Sequence, residues 1–356
     1  MPIRLIDAGR VSGLRSQTIY HALAYAMSPG SPDTVVLSRP DNPYVCVGFH
    51  QDADREVDLD YCRKLGIPVI RRETGGGTVF IDDDQLFVQW IFQPENLPRK
   101  VDTRFQLFVQ PLIDTYQFFG IQAYPYPPND VHVKGKKIVG TGAAAIGNAE
   151  VVTGNFLFDF NGERMARILQ APNSAFRELF RQSLDQYLTT FKKELGDAPD
   201  LERVKEVYAE KCAATLKREC IPGDFTETEM EWMEKLDRKF STDKWLFQHR
   251  LPPEEGRTVK VHAGVYIGEI EHSANGHSLN ATIRTRGPAI DQVSFSGDFP
   301  FHPKSKLNGL ERALHNVPLE AESLRETLEA FFELHGAESP GIEIDDWMTI
   351  LLKMKK

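Results

Sequence analysis

Apolar and polar positions in the first half of the chain change over in short blocks, with no single long period. Thr34–Ser38 and Pro43–Gly48 are β-branched or apolar and bounded by Pro and Gly, which predicts strands. Asp54–Leu65 predicts a helix closed before Gly66. Ile67–Arg72 predicts a strand that runs straight into Gly75-Gly76-Gly77. Thr78–Ile81 resumes as a strand, and Leu86–Phe92 has the apolar density of a buried one. Over Asp102–Phe119, residues Phe105, Phe108, Val109, Leu112, Tyr116 and Phe119 fall near helical spacing, and Gly120 stops the helix. Pro111 inside it predicts a kink or a later start. Val131–Val133 and Lys137–Val139 flank Lys134-Gly135-Lys136 as the arms of a hairpin, and Val151–Phe160 reads as another strand.

From Gly162 to about Leu236 the pattern turns helical. Lys244–Phe247 is followed by Pro252-Pro253-Glu254-Glu255-Gly256, a linker signal. Beyond it, Val259, Val261, Ala263, Val265 and Ile267 alternate as one strand. Asn275-Gly276 marks a turn, and Leu279, Ala281 and Ile283 return. Helices follow at Lys304–His315 and Leu319–Leu334, the second ended by Gly336. The pattern predicts two domains, residues 1–250 and 257–356.

Composition narrows the picture. A chain of 356 residues with 41% hydrophobic and 26% charged positions is ordinary for a globular protein. A formal charge of −9 argues against general nucleic-acid binding but leaves room for local basic sites, here Arg71-Arg72 and Lys134, Lys136 and Lys137. No apolar run is long enough to span a bilayer, and the N-terminus lacks a signal-peptide core. The four cysteines, Cys46, Cys62, Cys212 and Cys220, show no metal-type pairing, so reduced thiols in a cytoplasm are expected. The ten histidines show no zinc-ligand spacing on a helix.

Two segments carry chemistry. In Arg71-Arg72-Glu73-Thr74-Gly75-Gly76-Gly77-Thr78-Val79-Phe80, three glycines let the backbone approach a ligand closely. Their successive N–H groups suit an anion, and two arginines add forked donors. The second segment is Asn129-Asp130-Val131, then Lys137-Ile138-Val139-Gly140-Thr141-Gly142. A lysine at a strand start before Gly-Thr-Gly suits contact with carboxylate or phosphate, and Asp130 is placed to hold Mg²⁺.

Together these segments resemble the lipoate–protein ligase A family, whose members read RRxSGGGxVxHD, an ND-[VI] segment and K-[IV]-S-G-[ST]-A. Val47-Gly48-Phe49-His50-Gln51 looks like the family's VGxxQ. Gly154-Asn155-Phe156-Leu157-Phe158 falls where members carry an HHGT[IL]L-like strand. The chain departs from the pattern at Thr74 (Ser in the family), Ile81 (His), Val139 and Gly142 (Ser and Ala), and at Val152 and Thr153, where a His is missing.

The resemblance implies an α+β fold: a mixed-sheet biotin/lipoate ligase-like catalytic domain with a small α+β C-terminal accessory domain that closes over the site. It implies ATP-dependent activation of lipoate to lipoyl-AMP, then transfer to a lysine of a lipoyl-domain or glycine-cleavage-H-like acceptor protein, with ATP and Mg²⁺ and with neither nucleic acid nor membrane. Lys137 would be catalytic, bridging the acyl carbonyl and α-phosphate. Arg71, Arg72, Thr74, Gly75, Gly76, Gly77, Gly140 and Thr141 would bind the acyl substrate. Gly76, Gly77, Thr78, Asn129 and Lys137 would bind ATP, and Asp130 the metal. Two alternatives stay open: an octanoyl- or lipoyltransferase of the same fold, which needs a cysteine nucleophile, and a non-catalytic binder of lipoyl carriers. No cysteine occurs between Cys62 and Cys212, a span holding both segments.

Overall fold

In the computed structural model the described residues are 1–127, 129–249 and 256–355. They form two compact units, one of Met1–Gln170 with Asp185–Leu251, the other of Ala171–Leu184 with Pro252–Lys356. The expected linker Pro252–Glu255 lies outside the described residues; Gly256 is inside them.

The first unit is built on a six-stranded mixed sheet in the order Thr141–Ile146, Ala149–Leu157, Gln85–Phe92, Thr34–Pro40, Ile3–Val11 and Cys220–Pro222. Alternation along the strands sends neighbours to opposite faces. Val35, Leu37, Trp90 and Val152 pack under helices Val101–Phe118 and Leu201–Leu216, with Phe108, Tyr116 and Tyr208. Val36, Ile91 and Val151 pack on the other face with helices Gly13–Ala26 and Glu227–Phe240. Two three-stranded sheets carry the site segments. One has the order Val69–Arg71, Tyr44–Val47, Val79–Ile81, and the other Tyr124–Tyr126, Asp130–Val133, Lys136–Val139.

Several elements differ from expectation. Strand Ile3–Val11 and helix Gly13–Ala26 form at an N-terminus in which no element was read. The single helix expected over 54–65 is two, Ala53–Glu56 and Leu59–Lys64, because Asp52 and Asp58 each cap a new start and Val57 bridges to Leu169. Pro111 does not delay its helix, which begins at Val101. The apolar face around Phe108, Leu112 and Tyr116 is buried and offsets the missing N–H bond. Lys136 belongs to a strand, while the hairpin turn sits on Lys134 (φ 49°) and Gly135 (φ 80°). Asp82 is 7% exposed, and burial, with Asp84 nearby, pushes its carboxyl up to about 6.

The second unit is a four-stranded antiparallel meander, Arg257–His262, Val265–Ala274, His277–Arg286 and Ala289–Asp298, packed against helices Leu307–Ala313, Ala321–His335 and Ile344–Leu352. The one strand expected over 259–267 is broken in two at Gly264 (φ 78°), although the apolar alternation runs through the break.

Candidate functional site

Strand Val69–Arg71 leads into the glycine loop, and Val79–Ile81 leaves it. The loop is held from behind by groups that sequence position alone does not connect. Arg71 is fully buried, and its guanidinium donates to the carbonyls of Leu246 (2.8 and 2.7 Å), Gly48 (2.9 Å) and Phe49 (2.7 Å). That leaves it a scaffold residue, a different role from the substrate contact expected of it. Trp245 Nε1 donates to the Arg71 carbonyl at 2.9 Å. Arg72 is half-buried and clamps the loop itself, donating to the carbonyls of Gly75 (2.8 Å), Gly77 (2.8 Å) and Cys46 (3.1 Å).

With the carbonyls turned toward Arg72, the N–H groups of Gly75, Gly76 and Gly77 have no acceptor among the described residues, and Gly76 and Gly77 are exposed. An anion suits such a cradle. Gly76 is in the left-handed region (φ 91°), and its carbonyl presses on Gly48, where a Cβ would lie 2.0 Å away. Gln51 Oε1 accepts from Gly48 N–H at 3.1 Å and from the Thr78 hydroxyl at 2.9 Å, tying Val47–Gln51 to the loop.

At the loop entrance, Glu73 accepts from the Tyr25 hydroxyl at 3.0 Å and from Lys239 Nζ at 3.3 Å. The Glu73 N–H donates to His21 Nε2 at 3.2 Å, and His21 Nδ1 sits 2.6 Å from the Gln17 carbonyl. That pattern fixes a neutral ring protonated at Nδ1. Burial pushes His21 down to about 4.

The second segment meets the first. Thr74 is buried, and a Cβ on Gly142 would stand 3.8 Å from Thr74 Oγ1. Lys137 Nζ pairs with Asp130 Oδ1 at 2.8 Å, the lysine side chain 21% exposed and the aspartate 5%. Gly140 lies beside them, where a Cβ would stand 3.7 Å from Lys137 Cε and 3.9 Å from its Nζ and from Asn155 Oδ1. Asn129 Nδ2 donates to Thr141 Oγ1 at 2.8 Å, and that hydroxyl donates back to the Asn129 carbonyl at 2.7 Å. The other lysines go elsewhere: Lys134 pairs with Glu194 at 2.9 Å, and Lys136 reaches the Asp185 carbonyl only at 3.5 Å.

Sequence reasoning missed the buried polar chain that ties the two segments together. Gly140 N–H donates to Asn155 Oδ1 (3.3 Å), Asn155 Nδ2 to Gln85 Oε1 (2.9 Å), and Gln85 Nε2 to the Phe80 carbonyl (3.1 Å). Its one visible signal was polar Asn155 inside the apolar run Gly154–Phe158. Ile81, at the position of the family's histidine, is 3% exposed in an apolar cluster with Tyr44, Cys46 and Ile70.

Asp130 supplies one carboxylate, with Lys137 already on Oδ1. Mg²⁺ is commonly held by one or two carboxylates completed by water and substrate phosphates. The residues present fit the ion on those terms, with nucleotide phosphates in the loop cradle.

Burial keeps three of the four thiols from solvent, although Cys46 touches Arg72, the clamp of the glycine loop. All four cysteines are free, and only Cys220 is partly exposed. Burial holds Cys46 above its ordinary range, partly offset by Arg72, and lifts Cys62 to about 11. A hydrogen bond from Cys212 lowers Cys220, but Cys220 begins the strand at the sheet edge opposite Thr141–Ile146. Four strands lie between, roughly 24 Å at ordinary strand spacing.

No helix among the described residues is long and apolar enough to cross a membrane. The octanoyltransferase LipM of Kyrpidia tusciae is 25% identical to this chain over 269 residues, covering 69% of this chain and 98% of the relative. Lipoate-protein ligase A subunit 1 of Thermoplasma acidophilum is 25% identical over 249 residues, covering 66% and 91%. The structure of the bipartite lipoate protein ligase of Thermoplasma acidophilum superposes with a TM-score of 0.65 at 23% identity, over 71% of this chain and 99% of that one. The fold is thus α+β with the mixed sheets of lipoate ligases. The family model for the lipoyl protein ligase A/B catalytic domain matches residues 15–213, more than half of the chain, and that span takes in the glycine loop, Asp130, Lys137 and Gly140. The chain belongs to the lipoyl protein ligase A/B catalytic-domain family, enzymes of lipoate ligation and acyl transfer.

Proposed function

We propose that the chain is an ATP-dependent lipoate–protein ligase that activates lipoate to lipoyl-AMP and passes the acyl group to a lysine of a lipoyl-domain or glycine-cleavage-H-like acceptor. The observation that carries this reading is the Lys137–Asp130 pair beside Gly140, together with the burial of Cys46, Cys62 and Cys212. Adenylation asks for fixed positive charge where negative charge develops, and for no protein nucleophile. Lys137 Nζ leaves Asp130 for the substrate oxygens as carboxylate attacks the α-phosphorus and pyrophosphate departs. Its positive charge then sits between the acyl carbonyl and the phosphate. The free N–H groups of Gly75–Gly77 receive phosphate oxygens, Thr78 and Asn129 border the nucleotide, and Thr74, Gly140 and Thr141 flank the acyl chain. A Mg²⁺ ion on Asp130 would neutralise phosphate charge. Arg72 acts through the loop it clamps, and Arg71 through the backbone behind it.

A second reading, octanoyl transfer from a thioester donor, is favoured by the name of one relative. It needs a reactive thiol at the site, and the burial of Cys46, Cys62 and Cys212 and the far-edge place of Cys220 weigh against it. A third reading, a non-catalytic binder of lipoyl carriers, leaves the charge-paired Lys137 unexplained.

The test is incubation with lipoate, Mg²⁺ and a panel of lipoyl-domain and H-protein-like acceptors, with and without ATP, read by intact-protein mass. A gain of one lipoyl group that depends on ATP supports ligation. No gain on any acceptor under either condition would leave the binder reading standing in its place.

A further inference from the structure

The C-terminal unit holds a cavity of about 510 Å³ lined by Lys306, Gly309, Arg312, Phe331 and His335 among others, none of them a residue assigned above. Three nitrogen-bearing side chains share it. Lys306 Nζ lies 3.5 Å from His335 Nδ1, at the outer limit of a hydrogen bond. Arg312 spends Nε on the Asn308 carbonyl at 3.1 Å and has no other bond among the described residues. Among the described residues this unit's ion pairs at Arg181–Glu178, His272–Asp346, Arg284–Asp291, Arg325–Glu329 and Arg325–Asp345 use none of the three.

The chain beyond Gly256 has eleven lysines and arginines against fourteen acidic residues, so Lys306 and Arg312 around one cavity with no carboxylate lining it are a local reversal of sign. Arg312 and His335 each sit in the last turn of a helix, where the dipole accounts for them singly. Lys306 ends a three-residue 3₁₀ turn and is the N-cap of Leu307–Ala313, the end of that helix where the dipole disfavours a cation. Like charges gathered without a counter-ion repel, and a bound anion reverses that cost. The floor is apolar. Phe331 lines it, 6% exposed, with Gly309 close against the ring, for a Cβ there would stand 3.3 Å from ring carbons.

We propose that this cavity binds a small phosphomonoester, its phosphate between Lys306, Arg312 and His335 and its flat or apolar body against Phe331. Forked and point donors together suit the three phosphate oxygens. The experiment uses the full chain and reads the ring resonances of His335 by long-range ¹H–¹⁵N NMR, assigned by their loss in His335→Gln. Those resonances report binding at this cavity. Phenyl phosphate is expected to shift them saturably, and inorganic phosphate to do so about tenfold more weakly for want of an apolar body. A Lys306→Ala/Arg312→Ala variant with an unchanged melting temperature should bind phenyl phosphate at least about tenfold more weakly. No shift at about 10 mM phenyl phosphate, or the same saturation in the double variant, would overturn the proposal. Equal binding of inorganic phosphate would overturn the role given to Phe331.

Discussion

At the scale of single residues the account rests on Lys137, whose Nζ is held 2.8 Å from Asp130, with Gly140 beside the pair. Lys137→Ala should lower pyrophosphate release with lipoate and ATP by about 10²–10³-fold. Its melting temperature should stay within a few degrees. Lys136→Ala, which loses only a long contact to a carbonyl, should be mild. Lys137→Arg should rescue poorly, because a planar fork does not place one compact charge between two oxygens. Near wild-type release from a folded Lys137→Ala protein would remove the assignment. His21 gives a pH prediction. Its folded value is pushed down to about 4, against about 6.5 unfolded, so the folded state favours the neutral ring. The stabilisation is complete above pH 6.5 and drains away as pH falls toward 4, on the order of 3 kcal/mol in all. Asp82, raised to about 6, works the opposite way over part of that range. The check is therefore the difference in melting temperature against pH between wild type and His21→Gln. Parallel curves between pH 7 and 4 would contradict it. Lys137 and the glycines were legible in the sequence because their signal is local. The scaffold role of Arg71 was not, since its acceptors Gly48 and Leu246 lie 23 and 175 positions away.

At the scale of elements the site is a loop braced by the segment before it. Gly48 is required by contact rather than by dihedral angle, because the Gly76 carbonyl occupies the place of its Cβ. Gly48→Ala should cost about 1–3 kcal/mol, since backbone on one side and a strand end on the other have little room to give. Pyrophosphate release should fall further than stability, as the loop that must hold phosphate is the part displaced. Equal melting and equal release in Gly48→Ala would show that the loop tolerates the shift. Strands such as Gln85–Phe92 were legible because both faces are buried and the run is apolar but for Gln85 and Gln89. Helix Gly13–Ala26 was not, for Ser16, Gln17, Thr18 and His21 are buried polar residues on it and blur its apolar face. The Ala53–Glu56 and Leu59–Lys64 pair was misread for a related reason: two Asp caps in one short stretch look like ordinary helix charge until a second start is allowed.

At the scale of the molecule, chain order concealed one feature of the organisation. Ala171–Leu184 belongs to the same compact unit as the C-terminal residues, with Asn173 donating to Glu269 at 2.7 Å and Arg284 to the Ser183 hydroxyl at 3.0 Å. Nothing in a local pattern marks a helix as serving a sheet that begins some seventy residues later. The family, by contrast, was legible early, because its motifs sit in one catalytic unit and their backbone demands are local. What separates ligase from transferase in this family is whether the enzyme needs a thiol. The decisive measurement is acyl attachment to a lipoyl-domain acceptor by a variant with Cys46, Cys62, Cys212 and Cys220 all changed to serine. It is run once with lipoate and ATP, and once with an octanoyl thioester donor and no ATP, each read by intact mass. The account predicts that the folded cysteine-free variant attaches lipoyl from lipoate and ATP at a rate within a few-fold of wild type, with no octanoyl gain from the thioester in either protein. Octanoyl gain by the wild type that vanishes in the variant, with no ATP-dependent product from either, would contradict it.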